Sequence, residues 1–228
     1  MRYEILYKGA YPIVRCHLDK GEMMKAESDA MVAMSPTIEV TSKQEGGLLK
    51  GLMRSVLSDE SLFYQYLTAK GGDGTVLFAH AMPGDITAVS LSGSTELWVQ
   101  KGGFLACENT LSLETKSQGF LKGMLSGEGW FLSKMVGRGT VFLSSYGAIH
   151  PIELGRGEEV IIDNAHLVAW DDTCKYEVEQ ASSGFFRSLT SGEMLVTRFT
   201  GPGRVYIQTR NPNAFESWIR SLIPPSSN

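Results

Sequence analysis

The sequence predicts an all-β fold with three tandem antiparallel β-sandwich repeats in pseudo-threefold symmetry, followed by a short C-terminal helix. The first observation is a Gly-x-Gly motif that runs into a strand-like segment three times, with its second glycine at Gly74, Gly139 and Gly203. These spacings of 65 and 64 residues indicate a repeat architecture. The second is period-two alternation of apolar and polar residues, which is typical of half-buried strands. The third is the content of 25 glycines in 228 residues, because dispersed glycine marks many tight turns.

Each predicted unit begins with an alanine, a threonine four residues later and an alternating strand. The three pairs are Ala33 and Thr37, Ala106 and Thr110, and Ala169 and Thr173. Between them lie Ser-Pro, Glu-Asn and Asp-Asp dipeptides, which favour turns. The pattern therefore predicts that a β-hairpin opens each unit.

A Gly-apolar-apolar-cation element follows in each unit, at residues 47–50, 119–122 and 184–187. The first unit carries about seven extra residues, which predicts an enlarged loop over 47–60. These landmarks divide the chain into β repeats at 1–85, 86–148 and 149–210, with a C-terminal helix and tail at 211–228. We expect all of them to form one compact structural unit.

The helix is predicted from its cap and its apolar spacing. Asn211 precedes Pro212, a combination of N-cap and first-turn residues that begins helices. Phe215, Trp218, Ile219 and Leu222 then recur at helical spacing, and two prolines end the pattern. We expect this apolar stripe to cover an open end of the sheets.

Composition indicates a soluble protein of the cytoplasm. Hydrophobic residues make up 43% and charged residues 20%, and the net charge of −4 gives no general attraction to nucleic acid. The three cysteines are widely spaced and odd in number, which is typical of reduced thiols. The first residues lack the apolar run of a signal peptide, and no apolar run approaches the ~20 residues of a membrane span.

Motifs that would indicate catalysis, a cofactor or a metal are absent from the sequence. The Gly-x-Gly turns lack the following helix and third glycine of a dinucleotide loop, so turn geometry explains them better than phosphate binding. The four histidines form no His-x-His pair. Asp171-Asp172 is interpreted as a turn rather than half a metal site, and Cys174 as apolar packing. We therefore expect a non-catalytic protein without cofactor.

The best candidates for function are the apolar and cationic residues of the Gly-apolar-apolar-cation loops. A shared axis would bring them to one end of the molecule, where they would form an apolar surface with a cationic rim. Such a surface suits contact with other copies of the chain, in a trimer or a multiple of a trimer, with another protein or with a membrane surface. The alternative is that one apolar residue of each pair plugs the sheet stack. The candidates are Leu48, Leu49, Lys50, Phe120, Leu121, Lys122, Phe185, Phe186 and Arg187.

The chain resembles the altered-inheritance-of-mitochondria protein 24 family. The resemblance rests on the loop from Gly119 to Lys122, the turn from Gly137 to Gly139, and Gly203 to Gln208 followed by Thr209-Arg210. It implies a β-sandwich repeat like that of the trp RNA-binding attenuation protein superfamily, a double-stranded β-helix type of architecture, and homo-oligomers. Eukaryotic relatives are associated with organisation of the mitochondrial inner membrane, and the resemblance implies no catalytic residues.

Three hypotheses for function follow. The first is a scaffold or assembly protein that makes its contacts through the apolar-basic loop tips. The second is a β module that binds a small molecule or RNA. The acidic net charge and the lack of repeated aromatic-basic faces count against RNA. The third is a cryptic hydrolase, for which Asp172 and His150 are the leading residues.

Overall fold

The computed structural model describes residues 1–9, 11–44, 63–100, 102–117, 131–180 and 195–223. Over these ranges the chain is all-β, with 18 strands in antiparallel sheets and one C-terminal helix, as the sequence predicts. The predicted contact residues of the three loops lie outside the described residues.

The strands fall into three groups along the chain. The first comprises β1 (Arg2–Leu6), β2 (Ile13–Leu18), β3 (Met23–Glu27), β4 (Met31–Met34), β5 (Ile38–Gln44), β6 (Phe63–Ala69) and β7 (Gly74–Phe78). The second comprises β8 (Ile86–Ser92), β9 (Leu97–Gln100), β10 (Phe104–Glu108), β11 (Leu111–Ser117) and the long β12 (Phe131–Ser144). The third comprises β13 (Ile149–Leu154), β14 (Glu159–Asp163), a 3₁₀ turn (Asn164–His166), β15 (Leu167–Asp171), β16 (Lys175–Gln180), β17 (Leu195–Thr200) and β18 (Gly203–Gln208).

One pairing scheme recurs in all three groups, which we call units 1 to 3, with strands lettered A to F in chain order. Strand A is β2, β8 or β13, and the two halves of β12 serve as E and F of unit 2. In every unit F pairs with A and with C, while E pairs with B and with D. Each unit thus contributes two three-stranded sheets, A-F-C and B-E-D. The arrangement of the units around a threefold axis stays a prediction.

Successive units are joined by continuous β-sheet. Strand C of unit 2 pairs with strand B of unit 1 (β10 with β3), and strand C of unit 3 pairs with strand B of unit 2 (β15 with β9). Each junction merges two half-sheets into a sheet of six strands. The A-F-C half-sheet of unit 1, extended by β1, and the B-E-D half-sheet of unit 3 stand at the two ends as separate sheets.

The core follows the units as three buried apolar clusters. Unit 1 centres on residues such as Phe78 and Leu67, unit 2 on Leu97 and Met135, and unit 3 on Phe199. Alternation along the strands supplies the inward-facing residues, as in β2, where buried and half-buried positions alternate. Alternation therefore predicts the core-facing positions of strands such as β2, whereas β3, β10 and β15 each bury at least three residues in succession.

The predicted opening hairpins are not formed. In every unit the strands on either side of the Ala-to-Thr turn, C and D, pair with different partners, F and E. The turn is a corner at which the chain passes from one sheet of the sandwich to the other. The dipeptides do favour turns, but a turn preference alone does not decide whether its flanking strands pair with each other.

The Gly-x-Gly motif marks the second corner, between E and F. Gly72, Gly137 and Gly203 have positive φ values of 146°, 120° and 147°, which favour glycine. In unit 2 this corner is a bend within the continuous strand β12 rather than a separate turn. The motif therefore has a structural role in the part of the chain described, as the turn interpretation predicts.

The helix α1 (Pro212–Leu222) begins as predicted. The Asn211 side chain accepts hydrogen bonds from the Asn213 and Ala214 N–H groups at 2.9 and 3.1 Å. The expectation that the apolar stripe is covered is wrong, because α1 contains no buried residue. Only its start is packed, where the Phe215 ring lies 5.4 Å from that of Tyr146.

Candidate functional site

The bases of the three predicted contact loops occupy equivalent positions. Each loop connects strand D to strand E, and the last described pairs are Gln44 with Phe63, Ser117 with Phe131, and Gln180 with Leu195. Every pair closes the D–E ladder of its unit at the same end. The structure thus brings the three loop bases into corresponding places without describing the candidates Leu48, Leu49, Lys50, Phe120, Leu121, Lys122, Phe185, Phe186 and Arg187.

Two strand edges expose apolar side chains that the sequence reasoning missed. Val32 and Met34 on β4 are exposed, and so is Ile161 on β14. Within the described residues β4 pairs only with β7 and β14 only with β17, so each presents a free edge. Comparing each position with its equivalents in the other units is the signal that finds them, because those equivalents are buried or, in the case of Trp98, half-buried.

A third apolar surface is the outer face of α1. Trp218, Ile219 and Leu222 are exposed, and Ile223 continues the stripe past the end of the helix. Glu216 and Arg220 form an i,i+4 ion pair on the same helix at 2.6 Å. The helix is therefore amphipathic but attached to the sheets mainly through Phe215.

The two leading residues of the hydrolase hypothesis have separate positions. Asp172 is at the corner of unit 3, where its Oδ1 accepts a hydrogen bond from the Glu96 N–H at 3.0 Å and its own N–H donates to the Glu96 carbonyl at 3.0 Å. Its neighbour Asp171 accepts from the Arg204 N–H at 2.9 Å. His150 is exposed on β13, opposite Ile207. The predicted turn is present at this corner, but the carboxylates of both aspartates accept from N–H groups far along the chain rather than from their own turn.

Burial and neighbouring hydrogen bonds shift the pKa values of Asp171 and Arg204 at this corner. Burial raises the pKa of the Asp171 carboxyl, partly offset by the Arg204 N–H bond. Hydrogen bonds to Tyr206 and Glu153 raise the pKa of the Arg204 guanidinium, and Arg204 Nε is 2.5 Å from Glu153 Oε1. In the described part of the chain, no cluster of three or more His, Cys, Asp or Glu residues has the arrangement of a metal site.

The three cysteines are free and buried, as the sequence suggests for Cys174. Burial raises the pKa of the Cys16 thiol to about 12 and that of Cys174 to about 11, with Asp171 and Asp172 adding to the second effect. Thiols with such pKa values are protonated at neutral pH and are poor nucleophiles. Cys16 and Cys174 therefore act as packing residues.

No helix in the described ranges combines the length and the apolarity that a bilayer span requires.

Comparison with known proteins decides the family. A profile described as mitochondrial biogenesis AIM24 matches residues 3–210. The chain belongs to this family. The family predicted from the loop and turn motifs is thereby confirmed, and the match covers all three units.

Relatives of this AIM24-family chain extend over its whole length. An uncharacterised protein of Streptococcus pyogenes serotype M6 is 32% identical over 235 residues, which cover 100% of this chain and 93% of the relative. A Streptococcus pyogenes protein solved by X-ray crystallography in a structural-genomics programme superposes with a TM-score of 0.80 at 29% identity, over 97% of this chain and 99% of that one. The AIM24 fold described above is thus shared along the entire chain.

Proposed function

We propose that this protein is a non-catalytic scaffold of the cytoplasm that acts by contact, through self-association and through loop tips that engage a partner or a membrane surface. The observation that carries the proposal is the identical register at the bases of the three loops. The equivalent loop bases support the proposal, because they belong to a framework that repeats one strand pairing three times. Three weak contacts on one framework would add in avidity.

The sequence of the loops supports a contact role. Each carries two large apolar residues and one cation: Leu48, Leu49 and Lys50; Phe120, Leu121 and Lys122; Phe185, Phe186 and Arg187. Apolar side chains beside cations suit protein interfaces, where aromatic residues and arginine are enriched, and also anionic lipid surfaces. Three buried, free cysteines are consistent with a reducing compartment.

The test is a variant in which the six apolar loop residues are replaced by serine. We expect the wild-type chain to bind vesicles that contain anionic phospholipid, or to form loop-dependent oligomers, and the variant to lose that binding by at least about tenfold. Vesicle co-sedimentation and multi-angle light scattering measure the two properties. A second variant, with Lys50, Lys122 and Arg187 replaced by glutamine, separates the charge from the apolar contribution.

The matched control replaces the exposed tyrosines Tyr7 and Tyr11 by serine, which removes apolar surface elsewhere. It is expected to behave as wild type. A serine-loop variant that keeps every interaction of the wild-type chain would rule out the loop tips as contact sites.

A further inference from the structure

The two end edges of the chain, β4 and β14, are complementary to each other. At both internal junctions strand C of one unit pairs with strand B of the unit before it. β4 is strand C of unit 1, which has no preceding unit. β14 is strand B of unit 3, which has no following unit. Within the described residues these two strands are the C and B strands that remain without a junction.

We propose that β4 of one copy pairs with β14 of a second copy, so that chains assemble head to tail through a third junction of the same kind. This junction would merge β1-β2-β7-β4 of one copy with β14-β17-β16 of the next. The residues of this surface differ from the loop candidates, so failure of the junction would leave the loop-tip contacts of the proposed function standing.

Side-chain exposure agrees with an unfilled junction. Val32 is 55% exposed, whereas its equivalents Leu105 and Val168 are 0% and 2% exposed. Met34 is 39% exposed, whereas Cys107 and Trp170 are both at 0%. On the other edge Ile161 is 49% exposed, whereas its equivalent Lys25 is buried at 7% and its equivalent Trp98 is half-buried. The end strands thus expose apolar side chains at positions that the internal junctions bury or half-bury.

The apolar cores also indicate an unfilled junction, because units 1 and 2 each receive core residues from the unit that follows them. The buried cluster of unit 1 includes Leu105, Ala106 and Phe142 from unit 2, and the cluster of unit 2 includes Val168, Ala169 and Tyr206 from unit 3. The buried residues described in the cluster of unit 3 all belong to unit 3, and the residue of another unit that packs against them, Trp98, comes from the preceding unit 2. The residues of a second copy at the corresponding places are Val32, Ala33 and Leu77, of which Val32 and Ala33 are exposed and Leu77 is half-buried.

The internal junctions also fix the register. Ala106 pairs with Ala26, and Ala169 pairs with Val99. Ala26 and Val99 face the buried polar residues Gln65 and Ser133 of strand E, and Ile162 faces Thr197 in the same way. The register between copies is therefore Ala33 with Ile162, Met34 with Ile161, and Ser35 with Val160.

One feature makes the proposed junction weaker than the internal ones. Asn109 and Asp172 each donate a backbone hydrogen bond across their junction, to the carbonyls of Met23 and Glu96. Their equivalent in unit 1 is Pro36, which has no N–H. Pairing between copies would stop one residue earlier, which favours a reversible, concentration-dependent assembly.

The test uses two variants that each block one end, Met34→Asp and Ile161→Asp. Each is expected to weaken self-association by at least about tenfold, because the new carboxylate would lose its contact with water at the junction. Neither should affect folding, since both side chains are exposed. When the two variants are mixed, each still supplies one intact edge. Sedimentation velocity should then show a dimer at twice the 25.0 kDa chain mass, and no larger species.

The control is Leu222→Asp, which places the same charge as the blocking variants on the exposed face of α1 and should assemble as wild type. A wild-type chain that stays monomeric up to millimolar concentration would overturn the proposal. So would blocked variants that assemble as wild type, or a mixture that stays monomeric. Assembly abolished only by the serine-loop variant would assign it to the loop tips instead.

Discussion

At the scale of single residues, one contact explains why the Gly-x-Gly motif and the threonine of the Ala-to-Thr turn recur together in each unit. A Cβ atom on Gly74, Gly139 or Gly203 would approach the Oγ1 atom of Thr37, Thr110 or Thr173 to 2.6–2.7 Å. The glycine ends one corner of the sandwich and the threonine lies at the other. The two corners of each unit therefore pack directly on each other, and glycine is required by close approach.

We predict that Gly74→Ala destabilises the fold by about 1–3 kcal/mol, because the added methyl meets Thr37 and Ile38. The sign of the change in the free energy of unfolding shows whether the methyl clashes. Gly74 has no positive φ, so without the clash alanine would stabilise by about 0.4–1 kcal/mol through its lower unfolded-state entropy. Urea denaturation measures the difference.

The double variant Gly74→Ala with Thr37→Ala should be less destabilised than the sum of its single variants, since the hydroxyl that clashes is gone. Gly155→Ala serves as the control, because the three atoms nearest to its added methyl belong to the Glu158 carboxylate, the end of a flexible side chain. Additive effects at positions 37 and 74 would contradict the explanation.

His80 gives a pH-dependent prediction. Burial lowers the pKa of its imidazole, and Nδ1 is buried without a hydrogen-bond partner among the described residues. Below about pH 6.5 the unfolded chain binds a proton that the folded chain resists, so stability falls as the pH decreases, by at most about 1.4 kcal/mol per pH unit for one proton. His80→Phe should reduce this slope between pH 7 and pH 5 in urea titrations, and an unchanged slope would exclude His80 as its source.

At the scale of elements, the junction between β9 and β15 joins units 2 and 3 through a pair of tryptophans. Trp98 and Trp170 are register partners whose rings stack at 6.3 Å with an interplanar angle of 18°. Trp170 also contacts Tyr176 and Phe199 in edge-to-face geometry. The same side chain thus belongs to the core of unit 3 and to its junction with unit 2.

We predict that Trp170→Ala lowers the free energy of unfolding by about 3–5 kcal/mol, because it removes a fully buried indole from both places. Trp218→Ala, at an exposed position on α1, should change it by less than about 0.5 kcal/mol. Denaturation followed by circular dichroism compares the two variants. Equal effects would show that the junction adds nothing to stability.

Strand identity and the inward-facing positions of strands such as β2 were predictable from the sequence, because both follow from local alternation. The consecutive buried residues of β3, β10 and β15 were not, because these strands are covered by a neighbouring unit. The pairing of strands was not. The dipeptides at Ser35-Pro36 and Asp171-Asp172 predict turns correctly, yet the flanking strands belong to different sheets. Which strand a segment pairs with depends on residues far along the chain, such as Gly203 with Leu154, and local preference carries no information about them.

At the scale of the whole molecule, the chain is an array of three units with two unlike ends. The candidate loops remain a prediction from their sequence, while the end edges emerged only from comparing units in the structure. No motif marks Val32, Met34 or Ile161, because an exposed valine or isoleucine in a strand resembles any other. Repetition made them visible, since the equivalents of Val32 and Met34 are all buried, and those of Ile161 are the buried Lys25 and the half-buried Trp98.

Head-to-tail contacts use different surfaces on the two partners and produce closed rings or open filaments according to the rotation at each contact. The internal junctions set that rotation within the chain. A third junction of the same geometry, between β4 of one copy and β14 of another, would extend the row of units from one chain into the next.

Hydrogen–deuterium exchange of the wild-type chain at low and high protein concentration tests this pairing most directly. Amides of Met31–Met34 and Glu159–Asp163 should exchange more slowly at high concentration, because those that face outward gain partners across the new junction. The free edges β1 and β13 should exchange alike at both concentrations. Exchange of β4 and β14 that does not change with concentration would contradict the account.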